Sequence, residues 1–154
     1  MNEFEIRRNS FPSLFKISFS LVTLNFIVNF IFYKILFNKV TNKVDQNLFG
    51  DSLFEEFALV VVLAPILETI LFQFLPAYFF TKRIGRIGVI LLSSFLFGIS
   101  HFYNFSYMIF GIIIGLMFIL GYYYSDKKNV NPILCVFFAH FTYNIIAFFL
   151  NHHL

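Results

Sequence analysis

Residues Phe57 to Phe80 read FALVVVLAPILETILFQFLPAYFF. This stretch exceeds the roughly 20 apolar residues that a helix needs to cross a bilayer. It is also far longer than a strand and shows no period-2 alternation, so the pattern predicts a helix. A helix keeps its backbone hydrogen bonds within the segment, as lipid requires. The stretch therefore predicts a membrane-spanning helix that is long enough to tilt.

The rest of the chain has the same character. Further apolar segments of helical type are Ile17 to Phe37, Val89 to Phe102 (which is short), Met108 to Tyr124 and Ile133 to Leu150. Charged residues make up 12% of the chain and the mean hydropathy is +0.80, whereas soluble domains carry about 25% charged residues. A soluble core of 154 residues could not bury 26 Phe. The predicted fold is an all-α, polytopic integral membrane bundle of about five transmembrane helices.

These segments divide the chain into five parts. They are a cytoplasmic N-terminal tail (1–16), a first transmembrane helix (17–37), a polar loop (38–55), a core of about four transmembrane helices (56–150) and a C-terminal tail (151–154). The first helix is too long for the apolar region of a signal peptide, and no small-residue cleavage site follows it. We therefore expect it to remain uncleaved.

The basic residues predict a topology and exclude a nucleic-acid partner. They stand at segment ends rather than in a stripe, and the net charge is only +3. With five spans and the N-terminus inside, the cytoplasmic side receives Arg7, Arg8, Lys16, Lys82, Arg83, Arg86, Lys127 and Lys128. The outer side receives Lys34, Lys39 and Lys43. This excess agrees with the positive-inside rule, so the N-terminus is predicted to be cytoplasmic.

Four polar side chains interrupt the apolar segments in a pattern typical of a functional site. They are Glu68, His101, His140 and Asn144. Ionisable side chains are costly at membrane depth and usually face a protein interior or a hydrated cavity. His140 and Asn144 are four residues apart and share one face of a helix. A carboxylate, two imidazoles and a carboxamide predict a hydrolytic or metal site.

In their order and spacing, these residues resemble the motifs of the CPBP family, which comprises CAAX-type prenyl-protein endoproteases and bacteriocin-processing or immunity-associated membrane proteins. Its first motif is a Glu-Glu pair followed after three residues by Arg, and commonly preceded by Ala-Pro. The corresponding stretch here is Ala64-Pro65-Ile66-Leu67-Glu68-Thr69-Ile70-Leu71-Phe72-Gln73. The second motif, Phe-x-x-x-His, matches Phe97 to His101, and the third, His-x-x-x-Asn, matches His140 to Asn144. The resemblance covers about Glu56 to Leu150.

The resemblance implies an intramembrane endopeptidase. Glu68 and His101 would activate a water, while His140 and Asn144 would stabilise the oxyanion and Phe97 would support the site. Such a mechanism requires no cofactor, although zinc or another divalent metal bound by Glu68, His101 and His140 is an alternative. The implied partners are membrane lipid and a peptide or lipidated, for example prenylated, protein substrate. The implied location is a bacterial cell membrane. No oligomeric state follows from the sequence.

Two positions depart from the family motif. Thr69 stands in place of the second Glu, and Gln73 stands in place of the Arg. Both are expected to surround Glu68 rather than to contact the water. The departure therefore changes the residues around Glu68 and keeps the water-activating carboxylate itself. Two other functions stay open: a catalytically inactive binding or bacteriocin-immunity protein, and a small proton-coupled transporter.

The glycines of the fourth segment form a small-xxx-small pattern, Gly111 to Gly115. Such a pattern lets two helices approach closely. We expect it to serve packing against a neighbouring helix of the same chain.

Overall fold

The computed structural model describes residues 11–32, 34 and 52–153, and every regular element in this part of the chain is helical. The α-helices are α1 (Phe11–Ile31), α2 (Leu53–Phe57), α3 (Ala64–Glu68), α4 (Leu75–Ile99), α5 (Phe105–Lys127) and α6 (Pro132–His153). Two π-helical segments, π1 (Ala58–Leu63) and π2 (Thr69–Phe74), join α2, α3 and α4 into one continuous helical run. The predicted all-α fold is confirmed.

Among the described residues, four helices are long and apolar enough to cross a membrane, and the longest of them, Leu53–Ile99, has 47 residues. That run changes direction at Gly85, whose φ of 70° lies in the region that glycine adopts without strain. Beyond Gly85 the chain returns along its own first half. The Phe72 and Phe97 rings lie 5.7 Å apart, and the Ser93 hydroxyl donates to the Phe72 carbonyl. The four helices therefore make about five passes, as predicted.

Prolines account for the unusual helical geometry on the first half of this run. Each π segment ends shortly before a proline, Pro65 after π1 and Pro76 after π2. Proline has no backbone N–H and crowds the turn before it, so it leaves an upstream carbonyl without its normal donor. π-helical turns are rare and are often found at functional sites. Glu68 closes the short α3 between the two π segments.

Several helix boundaries differ from those predicted. The helix α1 begins at Phe11 rather than Ile17, so Lys16 belongs to the helix and not to the preceding tail. Pro12 fits there because a first helical turn needs no N–H donor. Residues 53–55 of the predicted loop are helical, and the third predicted segment ends at Ile99 rather than Phe102. Residues 1–10, 33, 35–51 and 154 lie outside the described part of the chain, so the predicted polar loop is mostly outside it.

The helix α5 packs most tightly against α4, where glycines allow close approach. A Cβ on Gly111 would lie 3.1 Å from the Gly98 Cα, and one on Gly115 would lie 2.7 Å from the Phe97 Cβ. The small-xxx-small pattern therefore serves packing within the chain, as expected. This close contact positions Phe97 at the centre of the core.

The outer surface of the bundle is apolar. Large hydrophobic side chains such as Ile87, Leu91 and Phe95 are exposed along one face of α4. Exposed apolar area of this extent marks a lipid- or partner-facing surface. Together with the spanning helices, this surface makes the chain an integral membrane protein.

Candidate active site

Glu68 and His140 lie against each other inside the bundle. The Glu68 Oε2 is 3.6 Å from the His140 Nε2, and the side chains are 21% and 8% exposed. That distance is too long for a hydrogen bond, so the two groups are neighbours with room to adjust. The rings of Phe97 and Phe118 flank the His140 imidazole, with centroids 5.8 and 4.8 Å away. A carboxylate and an imidazole thus share an apolar pocket.

His101 lies in the connection 100–104 between the ends of α4 and α5, outside the spanning helices. Its Nδ1 is 2.8 Å from the Phe97 carbonyl and 3.0 Å from the Ser100 hydroxyl. A carbonyl only accepts hydrogen bonds, so Nδ1 carries the proton and Nε2 keeps its lone pair. Burial lowers the pKa of His101, against the opposing effect of the Phe97 hydrogen bond. The imidazole is therefore a neutral acceptor at Nε2.

Phe97 connects the two histidines. Its ring lies 5.2 Å from the His101 ring and 5.8 Å from the His140 ring. His101 and His140 therefore both lie beside the Phe97 ring, although His101 comes from the α4–α5 connection and His140 from α6. The supporting role of Phe97 stays a prediction.

Asn144 bonds to a backbone carbonyl of π1 that lies five residues before Pro65. Its Nδ2 donates to the Val60 carbonyl over 2.8 Å. In π1 the hydrogen bonds run from residue i to residue i−5, as from the Ala64 N–H to the Leu59 carbonyl. The next bond in this register would come from residue 65 to Val60, but proline has no N–H to give. Asn144 therefore replaces the missing donor and keeps one amide hydrogen for another acceptor.

Thr69 and Gln73 are both buried in π2, at 1% and 0% exposure. The Thr69 hydroxyl and both polar atoms of the Gln73 amide have no hydrogen-bond partner in the described part of the chain. The same is true of the His140 Nδ1. Buried polar atoms without partners are rare in folded proteins and call for a reason, such as a functional role or an ordered water. In the described part of the chain, neither Thr69 nor Gln73 forms a hydrogen bond with a charged side chain, whereas the family motif has Glu and Arg at these two positions.

Two tyrosines that the sequence reasoning did not single out surround His101. The Tyr107 ring lies 5.0 Å from the His101 ring and the Tyr103 ring lies 6.3 Å from it. Burial raises the pKa of Tyr103 to about 12; a hydrogen bond from Tyr107 lowers it and the charge of Glu68 raises it further. Tyr103 thus lies beside both His101 and Tyr107. Its place two residues after His101 is the one signal in the sequence that could have suggested it.

The predicted metal ligands do not form a metal-binding cluster. Across residues 11–32, 34 and 52–153, no group of three or more His, Cys, Asp or Glu side chains is arranged to hold a metal ion. Glu68, His101 and His140 are not gathered into a three-ligand site in this arrangement. What the side chains themselves supply is a carboxylate, an acceptor nitrogen on His101 and an amide hydrogen on Asn144, which are the elements of acid–base hydrolysis.

Comparison with known proteins gives one match. A family model described as "Type II CAAX prenyl endopeptidase Rce1-like" matches residues 51–146, well over half of the chain. No curated protein and no solved structure matches it. The matched region contains Glu68, His101, His140 and Asn144, and it leaves α1 outside.

Proposed function

Because this chain belongs to the Rce1-like family of type II CAAX prenyl endopeptidases, we propose that it is an intramembrane endopeptidase for membrane-associated or prenylated proteins and peptides. The observation that carries the proposal is the contact between Glu68 and His140 in an apolar pocket that also includes Phe97. An ionisable pair at this position is costly, which favours a functional role over a structural one.

The proposed reaction is hydrolysis by an activated water. Glu68 takes a proton from the water as its oxygen forms a bond to the carbonyl carbon of the substrate, and the His101 Nε2 accepts a hydrogen bond from the same water. The carbonyl oxygen becomes an oxyanion, which His140 and Asn144 help to stabilise. Collapse of this intermediate breaks the C–N bond, and the proton held by Glu68 passes to the leaving amine.

The direct test is cleavage by the purified full-length protein in liposomes. The substrate is a peptide with a prenylated cysteine followed by three residues, the CAAX arrangement, and its unprenylated counterpart is the comparison. Mass spectrometry of the products identifies the bond that is cleaved. A chelator arm accompanies each assay, and loss of cleavage that added zinc restores would show a metal-dependent reaction.

Glu68→Gln keeps the size of the side chain and removes the base. We expect the cleavage rate to fall by about two orders of magnitude or more, because general-base catalysis contributes about 10²–10⁴-fold. Glu55→Gln is the matched control, since Glu55 is an exposed carboxylate on α2. A Glu68→Gln protein that cleaves at the wild-type rate would contradict the proposal.

A second candidate function is supported by Thr69 and Gln73. Two neutral side chains replace the charged pair of the motif and are buried without partners, which is compatible with a protein that binds a peptide without cleaving it. In that case the wild-type protein and Glu68→Gln would bind the prenylated peptide equally well and neither would release a product.

A further inference from the structure

The proposed hydrolysis needs hydrogen-bond donors where the oxyanion develops, and the site has few that are uncommitted. His101 offers a lone pair at Nε2, because its Nδ1 proton points to the Phe97 carbonyl. Asn144 has one of its two amide hydrogens on the Val60 carbonyl. The His140 Nε2 faces Glu68. A further donor near His101 would therefore complete the arrangement that such a reaction requires.

Tyr103 is placed to be this donor. It belongs to the same short connection as His101, and its ring lies 6.3 Å from the imidazole and 5.6 Å from the Tyr107 ring. The charge of Glu68 contributes to the raised pKa of Tyr103. Tyr103 is also 51% exposed, which leaves it accessible to a substrate that reaches His101.

The hydroxyl can donate while it is held in place. A phenol both donates and accepts hydrogen bonds, so Tyr103 can accept from Tyr107 and still donate its own proton. Tyr107 is in turn fixed at the start of α5, where its backbone N–H donates to the Asn104 side chain over 3.1 Å. The start of α5 thus fixes the backbone of Tyr107, whose ring lies 5.6 Å from that of Tyr103.

We propose that Tyr103 is a catalytic residue whose hydroxyl donates a hydrogen bond to the oxyanion formed when the substrate carbonyl is attacked by water. This inference rests on the proposed function. Tyr103 keeps its proton throughout: the bond that forms joins the water oxygen to the carbonyl carbon, and the leaving amine receives the proton that Glu68 took.

The test compares Tyr103→Phe with wild type in the prenylated-peptide assay. Loss of one oxyanion donor lowers kcat by about 10²–10³-fold, with KM nearly unchanged, because the hydroxyl acts on the transition state. Tyr124→Phe is the matched control, since Tyr124 is an exposed tyrosine near the opposite end of α5. If the wild-type protein does not cleave the peptide, the proposed function is refuted. If the wild-type protein cleaves it and Tyr103→Phe cleaves at the same rate, only the role of Tyr103 is refuted.

A binding measurement separates a catalytic from a structural role. A phosphinate peptide carries a tetrahedral centre with an anionic oxygen, so it should bind about 10²-fold more weakly to Tyr103→Phe than to wild type. The cleaved peptide product should bind both proteins equally. A kcat at the wild-type level, or an equal weakening of phosphinate and product, would overturn the proposal.

Discussion

Asn144 has one observed acceptor, the Val60 carbonyl, and one proposed acceptor, the oxyanion. Pro65 leaves the Val60 carbonyl without its backbone donor, and the Asn144 Nδ2 supplies one over 2.8 Å. The family motif assigns the same residue to the oxyanion. Both roles are compatible because a carboxamide has two N–H hydrogens. The first role was not predictable from the sequence, since it depends on which carbonyl the π segment leaves open.

Asn144→Ala should therefore show two separate losses. We expect cleavage to fall by roughly 10²-fold, as for other oxyanion donors. The free energy of unfolding should also fall by about 1–3 kcal/mol, because the buried Val60 carbonyl loses its partner. Both quantities are measurable on one preparation, by cleavage rate and by denaturant unfolding in detergent.

Pro65→Ala provides the control for this prediction. It restores a backbone N–H next to π1, so the Val60 carbonyl no longer depends on Asn144. In this background Asn144→Ala should cost less stability, while the fall in cleavage stays the same. An equal stability loss in both backgrounds would mean that Asn144 does not compensate for the proline.

At the scale of elements, the contact between α1 and α6 extends the site beyond the region that matches the family. The Asn29 Nδ2 donates to the Tyr143 hydroxyl over 2.7 Å, and the Phe26 ring lies 4.9 Å from the Tyr143 ring. Tyr143 directly precedes Asn144 on α6. The first helix therefore steadies the part of α6 that carries the third motif.

A double-mutant cycle on Asn29→Leu and Tyr143→Phe tests this contact. Hydrogen bonds between transmembrane helices contribute on average about 0.6 kcal/mol, so we expect a coupling free energy of about that size. Thr23→Val is the control on the same helix, because the Thr23 hydroxyl bonds to the Phe19 carbonyl of its own helix. Strict additivity of Asn29→Leu and Tyr143→Phe in the unfolding free energy would refute the coupling.

The sequence predicted the helices well and their ends less well, for a physical reason. Hydropathy reports which segments are apolar, but helix ends are set by local capping. Asn104 accepts a hydrogen bond from the Tyr107 N–H and starts α5 at Phe105, three residues before the apolar run begins at Met108. Asn131 likewise accepts from Ile133 and Leu134 at the start of α6.

The residues of the candidate site can be predicted from the sequence more readily than their contacts. Polar residues in apolar segments stand out in the sequence because burying them in a membrane costs free energy. This argument alone selects Glu68, His101, His140 and Asn144. Their partners depend on lateral packing: the structure places Glu68 beside His140, while Asn144 reaches Val60. Nothing in the sequence showed that Thr69 and Gln73 would be buried without partners.

Across the whole molecule, basic residues gather at one end of the bundle. The Arg86 guanidinium lies 5.6 Å from the Tyr123 ring, and the Thr81 hydroxyl is 2.8 Å from the Tyr123 hydroxyl, so the turn at Gly85 meets the end of α5. Lys127 and Lys128 follow within a few residues. Leu14, near the start of α1, packs with Val130 and Cys135 at the same end. The positive-inside rule predicts that this is the cytoplasmic end.

A reporter fused after Leu154 should accordingly lie outside the cytoplasm. The α6 helix starts at the basic end and crosses the bundle once, so its C-terminus emerges on the other side. A reporter fused within the turn, between Arg83 and Ile84, should lie in the cytoplasm. A cytoplasmic signal from the C-terminal fusion would require an even number of passes and contradict this topology.

The burial of His101 also sets how this protein responds to acid. An ordinary histidine is half protonated near pH 6.5, and His101 has its pKa lowered from that value by burial. The neutral form that accepts from water thus persists at pH 6.5, and the His101 ring should titrate below that pH. The unfolded chain binds this proton more readily than the folded one, so stability is also lost as the pH falls from 6.5 through the folded pKa. An NMR titration of the His101 ring with its midpoint at or above pH 6.5 would contradict the first expectation. Acid therefore weakens the fold and the proposed chemistry through the same proton.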